Sequence, residues 1–147
     1  MMDKKTVKKL NDEQLANKYY LMAEGYMSSS RVNRAKAISY YRKACRLRHV
    51  LAMESLGDLL IDQAKKMVKK FNNNKLSVNE KGCIYQIHAE YLIKSGSDDI
   101  FCEAFYWLVS AYEQGGKLAK FYFSNGRYKN WHKIIELING MKIKVAA

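Results

Sequence analysis

Alanines recur at one constant spacing in two distant segments of this sequence. The pairs are Ala37 and Ala104, Ala44 and Ala111, and Ala52 and Ala119; 104 − 37, 111 − 44 and 119 − 52 all equal 67. Tyr40 and Trp107 share the same offset. Two helices approach to about 8 Å only where side chains are small. An alanine beside a ring, repeated at about twice the 34-residue period of helix-pair repeats, therefore predicts two copies of one helix-packing unit.

The rest of the chain carries helical periodicity, and its 147 residues include no proline. Proline breaks helix interiors, so its absence favours long helices. Apolar residues recur three and four positions apart, with polar or glycine-containing breaks between the segments. The predicted helices cover about 12–28, 32–48, 50–70, 78–94 and 99–114, then a short helix from 117 and a last one over about 127–140. We expect the basic tail from Met141 to be frayed.

The repeated segments resemble a known family. The patterns Ala37-x3-Tyr41-x2-Ala44 and Ala104-x3-Leu108-x2-Ala111 resemble the second helix of tetratricopeptide (TPR) repeats. The run from Ala37 to Ala44, followed by Ala52-x3-Leu56-Gly57-x2-Leu60, is similar to the Sel-one-like repeat (SLR) subfamily. The resemblance covers about residues 11–125. The sequence departs from the family pattern at Arg48-His49, where a glycine is usual. The second copy keeps a glycine there, in Gly115-Gly116. Residues 62–79 fit no repeat.

The resemblance implies an all-α fold, a right-handed α–α superhelix of about six to seven helices. We expect one helical-repeat domain over 1–147, with repeat-like parts at about 11–60 and 78–125 and a capping helix at about 127–140. It also implies a non-catalytic protein–protein interaction module, such as an adaptor, a chaperone or an immunity-type scaffold. Family members generally hold another protein or a peptide segment in a concave groove lined by the first helix of each pair.

Small-residue anchors at Ala23, Gly57 and Ala89 place the positions that turn toward this groove. The predicted groove residues are Asn17, Tyr20, Glu24, Glu54, Asp58, Gln86 and Glu90. A predicted basic face carries Arg31, Arg34, Arg42, Arg46, Lys65, Lys66, Lys69 and Lys70. An acidic groove suits a basic or amphipathic partner segment. The alternative is that these acids are ordinary surface residues paired with nearby lysines and arginines, worth tenths of a kcal/mol each.

The net charge of +12 and the pI near 9.6 favour anionic partners and keep nucleic-acid binding as the alternative function. Rings such as Tyr40, Tyr128 and Trp131 would then stack on bases. No recognised nucleic-acid motif supports that alternative. Monomer and weak homodimer both remain open, since Trp131 and the isoleucines after it can cover the end of the stack or join two chains.

Nothing in the sequence indicates catalysis. The three histidines are far apart, and HExxH, P-loop and GxSxG motifs do not occur. The three cysteines form no CxxC pair, so we expect buried or half-buried thiols, no metal site and no cofactor. The first residues are polar, and no apolar stretch approaches the roughly 20 residues of a membrane span. We therefore expect a cytoplasmic protein without a transmembrane segment.

Overall fold

Residues 10–72 and 84–146 are described by a computed structural model of the chain. They fold entirely into helices and turns, with no strand in the described ranges, which confirms the all-α prediction. The helices are α1 Asp12–Ser28, α2 Arg34–Arg46, α3 Val50–Asn72, α4 Ile84–Lys94, α5 Asp98–Glu113, α6 Lys117–Tyr122 and α7 Arg127–Ala146. A short 3₁₀ turn, Ser124–Gly126, precedes α7. The superhelical arrangement remains a prediction.

Local capping sets where the first helices begin. Asn11 accepts a hydrogen bond from the Gln14 backbone N–H at 2.8 Å, and the Gln14 side chain accepts one from the Asn11 N–H at 3.2 Å. This reciprocal capping box satisfies two otherwise unpaired donors. The acids Asp12 and Glu13 lie in the first turn, where their negative charge is stabilised by the positive end of the helix dipole. Asn33 caps α2 with a single bond, which its side chain accepts from the Lys36 N–H at 3.1 Å. Each start is therefore encoded within one helical turn.

Three of the turns between helices share one backbone geometry. At the end of α2, the His49 N–H donates to the Ala44 carbonyl and the Arg48 N–H to the Cys45 carbonyl. The same two bonds recur 67 residues later, from Gly116 to Ala111 and from Gly115 to Tyr112, and again after α4, from Ser97 to Leu92 and from Gly96 to Ile93. This is the Schellman ending of a helix. Its central residue has a positive φ each time: 67° at Arg48, 74° at Gly96 and 83° at Gly115.

Arg48 therefore takes the conformation that glycine takes in the other two turns. A non-glycine residue pays about 1–2 kcal/mol for left-handed geometry, yet the turn is retained. The departure noted in the sequence at Arg48-His49 changes the residue type and leaves the shape of the turn unaltered.

The repeated alanines occupy matching environments. All six alanines of the 67-residue repeat are 0% exposed, as are Ala23 and Ala89, which are 66 residues apart. Complete burial of so small a side chain means that another element lies directly against the helix at that point. The pattern read from the sequence thus marks close-packed positions in both copies.

The chain divides into two compact units, residues 1–56 and 57–147, with the boundary inside α3. The expectation of one domain over 1–147 remains a prediction. In the first unit, α1 packs along α2. Its core holds Tyr41, Cys45, Met53 and Leu56 together with the small residues of α1.

In the second unit, α4 and α5 pack against each other and against α7, and α6 packs on α5. Gly57 of α3 lies against Leu108 of α5 so closely that an added Cβ would stand 2.5 Å from Leu108 Cγ. Ile134 and Ile138 of α7 are buried. The last helix thus covers part of this unit's core.

Helix α7 is longer than the sequence predicted. We expected it to end at Asn139-Gly140, but it continues to Ala146. The Lys142 ammonium lies 2.5 Å from an Asp98 carboxylate oxygen and 2.6 Å from one of Asp99, both at the start of α5. These tertiary contacts hold the last turns in place. The predicted start of the fourth helix, 78–83, lies outside the described residues.

Candidate functional site

The predicted groove residues of the first unit differ widely in exposure. Asn17 is exposed, Tyr20 and Glu24 are half-buried, and Glu54 is only 4% exposed, so its carboxylate offers little surface to a partner. Glu24 Oε1 accepts a hydrogen bond from the Tyr41 hydroxyl at 2.6 Å. Burial and this bond raise the pKa of Tyr41 far above its usual value.

The predicted groove residues of the second unit are Asp58, Gln86 and Glu90. Asp58 is exposed and accepts a hydrogen bond from the Tyr122 hydroxyl of α6. Burial, reinforced by that carboxylate, raises the pKa of Tyr122 far above its usual value. Glu90 is half-buried, and the Gln86 side chain lies outside the described part of the chain. Asp58, like Glu24 in the first unit, thus anchors a tyrosine of a neighbouring helix.

The residues of the predicted basic face fall into one group in each unit. In the first, Arg31, Arg34 and Arg46 are exposed and Arg42 is half-buried. In the second, Lys65, Lys66, Lys69 and Lys70 of α3 are all exposed. Lys66 pairs with Asp62 at 3.0 Å, one turn earlier on the same helix.

Three tyrosines of α1 and α2 form an aromatic ladder that sequence reasoning did not predict. Tyr40 stacks on Tyr26, with ring centroids 5.7 Å apart and 9° between the planes, and on Tyr19 at 6.1 Å. The Lys43 ammonium lies 4.9 Å from the Tyr40 ring centroid, and Lys36 lies 5.4 Å from that of Tyr26. Tyr40 is therefore half-buried between protein rings, which leaves less of its ring open to the base stacking of the alternative function.

The other two rings proposed for base stacking are also engaged within the protein. Tyr128 and Trp131 both meet Phe123 edge-on, with centroids 5.3 and 5.8 Å away. Phe123 itself is 7% exposed. These contacts make both rings part of the second unit's packing, with Trp131 half-buried and Tyr128 still 37% exposed.

The second unit contains an apolar pocket of about 560 Å³. Helix α3 supplies one wall, with Ile61, Ala64, Lys65, Val68 and Lys69. The remaining walls come from α4, α5 and α7, with His88, Tyr91, Leu92, Phe101, Trp131 and Ile134. This volume falls within the range of about 300–1,000 Å³ that is usual for ligand sites.

The described residues that line the apolar pocket include four ionisable side chains: Lys65, Lys69, His88 and Tyr91. Lys65 and Lys69 stand one turn apart on α3, and His88 lies on α4. Burial lowers the pKa of His88, which keeps its ring neutral near pH 7. None of the described residues that line the pocket is an aspartate or a glutamate. The site therefore combines an apolar interior with positive charge from a single helix.

Sequence reasoning identified parts of the apolar pocket without joining them. Lys65 and Lys69 were assigned to the basic face, and Trp131 and Ile134 to a capping helix. The pocket arises because α3, α4, α5 and α7 meet, and that meeting depends on long-range packing. One sequence signal could have pointed to the pocket. The apolar stripe of α3 with Ile61, Ala64 and Val68 lies next to lysines, so apolar surface and positive charge adjoin on this helix.

The described residues contain no cluster of three or more metal-ligating side chains. The Cys45 thiol is buried, and burial raises the pKa of the half-buried Cys102 thiol, which disfavours the reactive thiolate. Cys83 lies outside the described ranges. Within those ranges, no helix has the length and apolar character to span a membrane.

Comparison with known proteins gives no match among family models, curated proteins or solved structures.

Proposed function

We propose that this chain is a non-catalytic interaction module of the TPR/SLR type that holds a segment of another protein. The observation that carries the proposal is the repetition itself. Six alanines at one offset are fully buried, and two turns at that same offset share their hydrogen bonds and their left-handed central residue. Stacked helix pairs of this kind present extended surfaces and leave binding as their main use.

Affinity capture from the native host, followed by mass spectrometry, tests the proposal. The informative variant is Asp58→Lys, because Asp58 is the exposed acid among the predicted groove residues. Glu54→Lys is unsuitable, since a reversed charge at a 4% exposed position would unfold the chain. Glu113→Lys makes the same change of charge at an exposed position on α5 outside the predicted groove.

We expect the wild type and Glu113→Lys to retain one specific protein partner and Asp58→Lys to lose it. Circular dichroism must show that all three chains are folded, because Asp58→Lys also removes the bond to Tyr122. Equal capture by all three would refute the groove, and the absence of any saturable protein partner would refute the interaction module.

Nucleic-acid binding is the second candidate, and helix α2 favours it. This helix has five cations, Arg34, Lys36, Arg42, Lys43 and Arg46, and no acid in 13 residues. Phosphate contacts release counterions, so binding must weaken steeply as salt rises. Filter binding at several salt concentrations, with an Arg34→Gln/Arg46→Gln variant, separates the two functions. A steep salt slope that the variant reduces supports nucleic acid, whereas a flat slope excludes it.

A further inference from the structure

The apolar pocket has the volume of a ligand site. Its wall includes Ile61, Leu92, Phe101 and Ile134, each 9% exposed or less, so these side chains are fixed by the core behind them. A site of this kind is pre-formed and binds without large rearrangement. Its interior suits an apolar chain or ring system.

Two lysines of α3 are among the described residues that line the apolar pocket. Lys65 and Lys69 are spaced i and i+4, where like charges repel and destabilise a helix. Lys66, on another face, has Asp62 as its partner, whereas among residues 10–72 and 84–146 no carboxylate forms an ion pair with Lys65 or Lys69. An anionic group between the two ammonium groups would remove their repulsion and gain an attraction to both.

We propose that the apolar pocket binds a free anionic amphiphile, with its apolar part between α3, α4, α5 and α7 and its carboxylate on Lys65 and Lys69. The chemical class is a monocarboxylate with one long apolar chain. The proposal does not rest on the protein-binding function above. A chain that captures no protein partner retains this site, and a chain that lacks this site can still capture a partner.

Isothermal titration of the full chain with dodecanoate, kept below its micellar range, tests the proposal. Dodecanol and dodecyltrimethylammonium carry the same chain with a neutral and a positive head. We expect saturable binding of dodecanoate and, because a cationic head would face two ammonium groups instead of pairing with them, binding about tenfold weaker for the cationic amphiphile. Equal affinity for all three, or no saturable binding of dodecanoate, would overturn the proposal.

Two matched variants locate the carboxylate. Lys65→Gln/Lys69→Gln removes both pocket ammonium groups, and Lys66→Gln/Lys70→Gln makes the same change of charge on residues of α3 that do not line the pocket. The first variant should bind dodecanoate about tenfold more weakly while its affinity for dodecanol stays the same, and the second should match the wild type. Equal loss in both would show a general effect of net charge and overturn the assignment.

Trp131 reports whether the chain enters the pocket, because its ring lines the wall. The other tryptophan, Trp107, donates to Glu103 at 3.1 Å and is absent from the wall, so Trp107→Phe leaves a single reporter. Dodecanoate should change the Trp131 fluorescence with the affinity found by titration. An unchanged spectrum would overturn the site. Binding only to anionic phospholipid vesicles, or only to an acidic amphipathic peptide, would overturn the free amphiphile as occupant.

Discussion

The contact between Gly57 and Leu108 makes a quantitative prediction for Gly57→Ala. The added Cβ would stand 2.5 Å from Leu108 Cγ, 2.7 Å from Cδ2 and 3.2 Å from Cδ1. Carbon atoms in contact lie about 3.5–4.0 Å apart, so the Leu108 side chain must withdraw by about 1 Å. It is 0% exposed and has no solvent to move into. Such overpacking costs about 1–3 kcal/mol.

Helix propensity acts in the opposite direction. Alanine is favoured over glycine in a helix interior by about 1 kcal/mol, so Gly57→Ala should destabilise the chain by about 0–2 kcal/mol. Gly140→Ala is the matched control, since Gly140 lies in helix α7 of the same unit with nothing within 4 Å of its added Cβ. It should stabilise by about 0.5–1 kcal/mol. The two variants thus differ by the cost of the contact.

Urea unfolding followed by circular dichroism measures both free energies of unfolding. A double-mutant cycle then assigns the cost to Leu108. In a Leu108→Ala background the obstruction is absent, so Gly57→Ala should become as favourable as Gly140→Ala, with a coupling of about 1–3 kcal/mol. Equal stabilities for the two glycine variants, or a penalty that persists without the leucine side chain, would refute the reasoning.

Three more predictions concern a turn, a cap and an ion pair. Arg48→Gly should raise the free energy of unfolding by about 0.5–1 kcal/mol, because it relieves the cost of about 1–2 kcal/mol at the φ of 67° of the exposed Arg48 and loses about 0.5–1 kcal/mol to the greater freedom of glycine in the unfolded chain; lower stability in urea would contradict this. His49 caps α3 by accepting the Ala52 N–H on Nδ1 at 3.1 Å, and burial lowers its pKa. Because the folded pKa lies below the unfolded value of 6.5, this stability is complete above pH 6.5 and is lost as the pH falls through the folded value. Thermal melts between about pH 7 and pH 5 should show a loss of stability that is smaller in His49→Asp; identical pH profiles would contradict the cap. Lys142→Met should lower stability by about 1 kcal/mol by breaking the bridge to Asp98, and an effect that does not shrink at high salt would argue against an ionic origin.

The sequence was informative wherever structure is set within one or two helical turns. The start of α1 followed from Asn11 and the acids after it, and α5 at Asp98–Glu113 lies within one residue of its predicted range at each end. The buried alanines followed from their spacing, because small residues recur where helices approach closely. In each case the information is carried by neighbours along the chain.

The candidate site depended on long-range contacts and was therefore not predictable. Lys142 keeps α7 helical beyond Gly140 by reaching residues 44 and 43 positions earlier, Asp98 and Asp99. Periodicity placed Trp131 on an apolar face but did not show that this face meets the apolar stripe of α3. Hydrophobic spacing identifies which side of a helix is buried and leaves its neighbours undetermined.

The shared geometry of the three Schellman turns affects how such a chain can change over evolutionary time. A turn of constant shape lets a whole pair of helices be duplicated or deleted without a change in the connections on either side. An insertion inside the turn would instead move the alanines of the following helix away from their contacts. We therefore expect homologues to vary in the number of helix pairs and in surface side chains, while the Schellman turns keep their length.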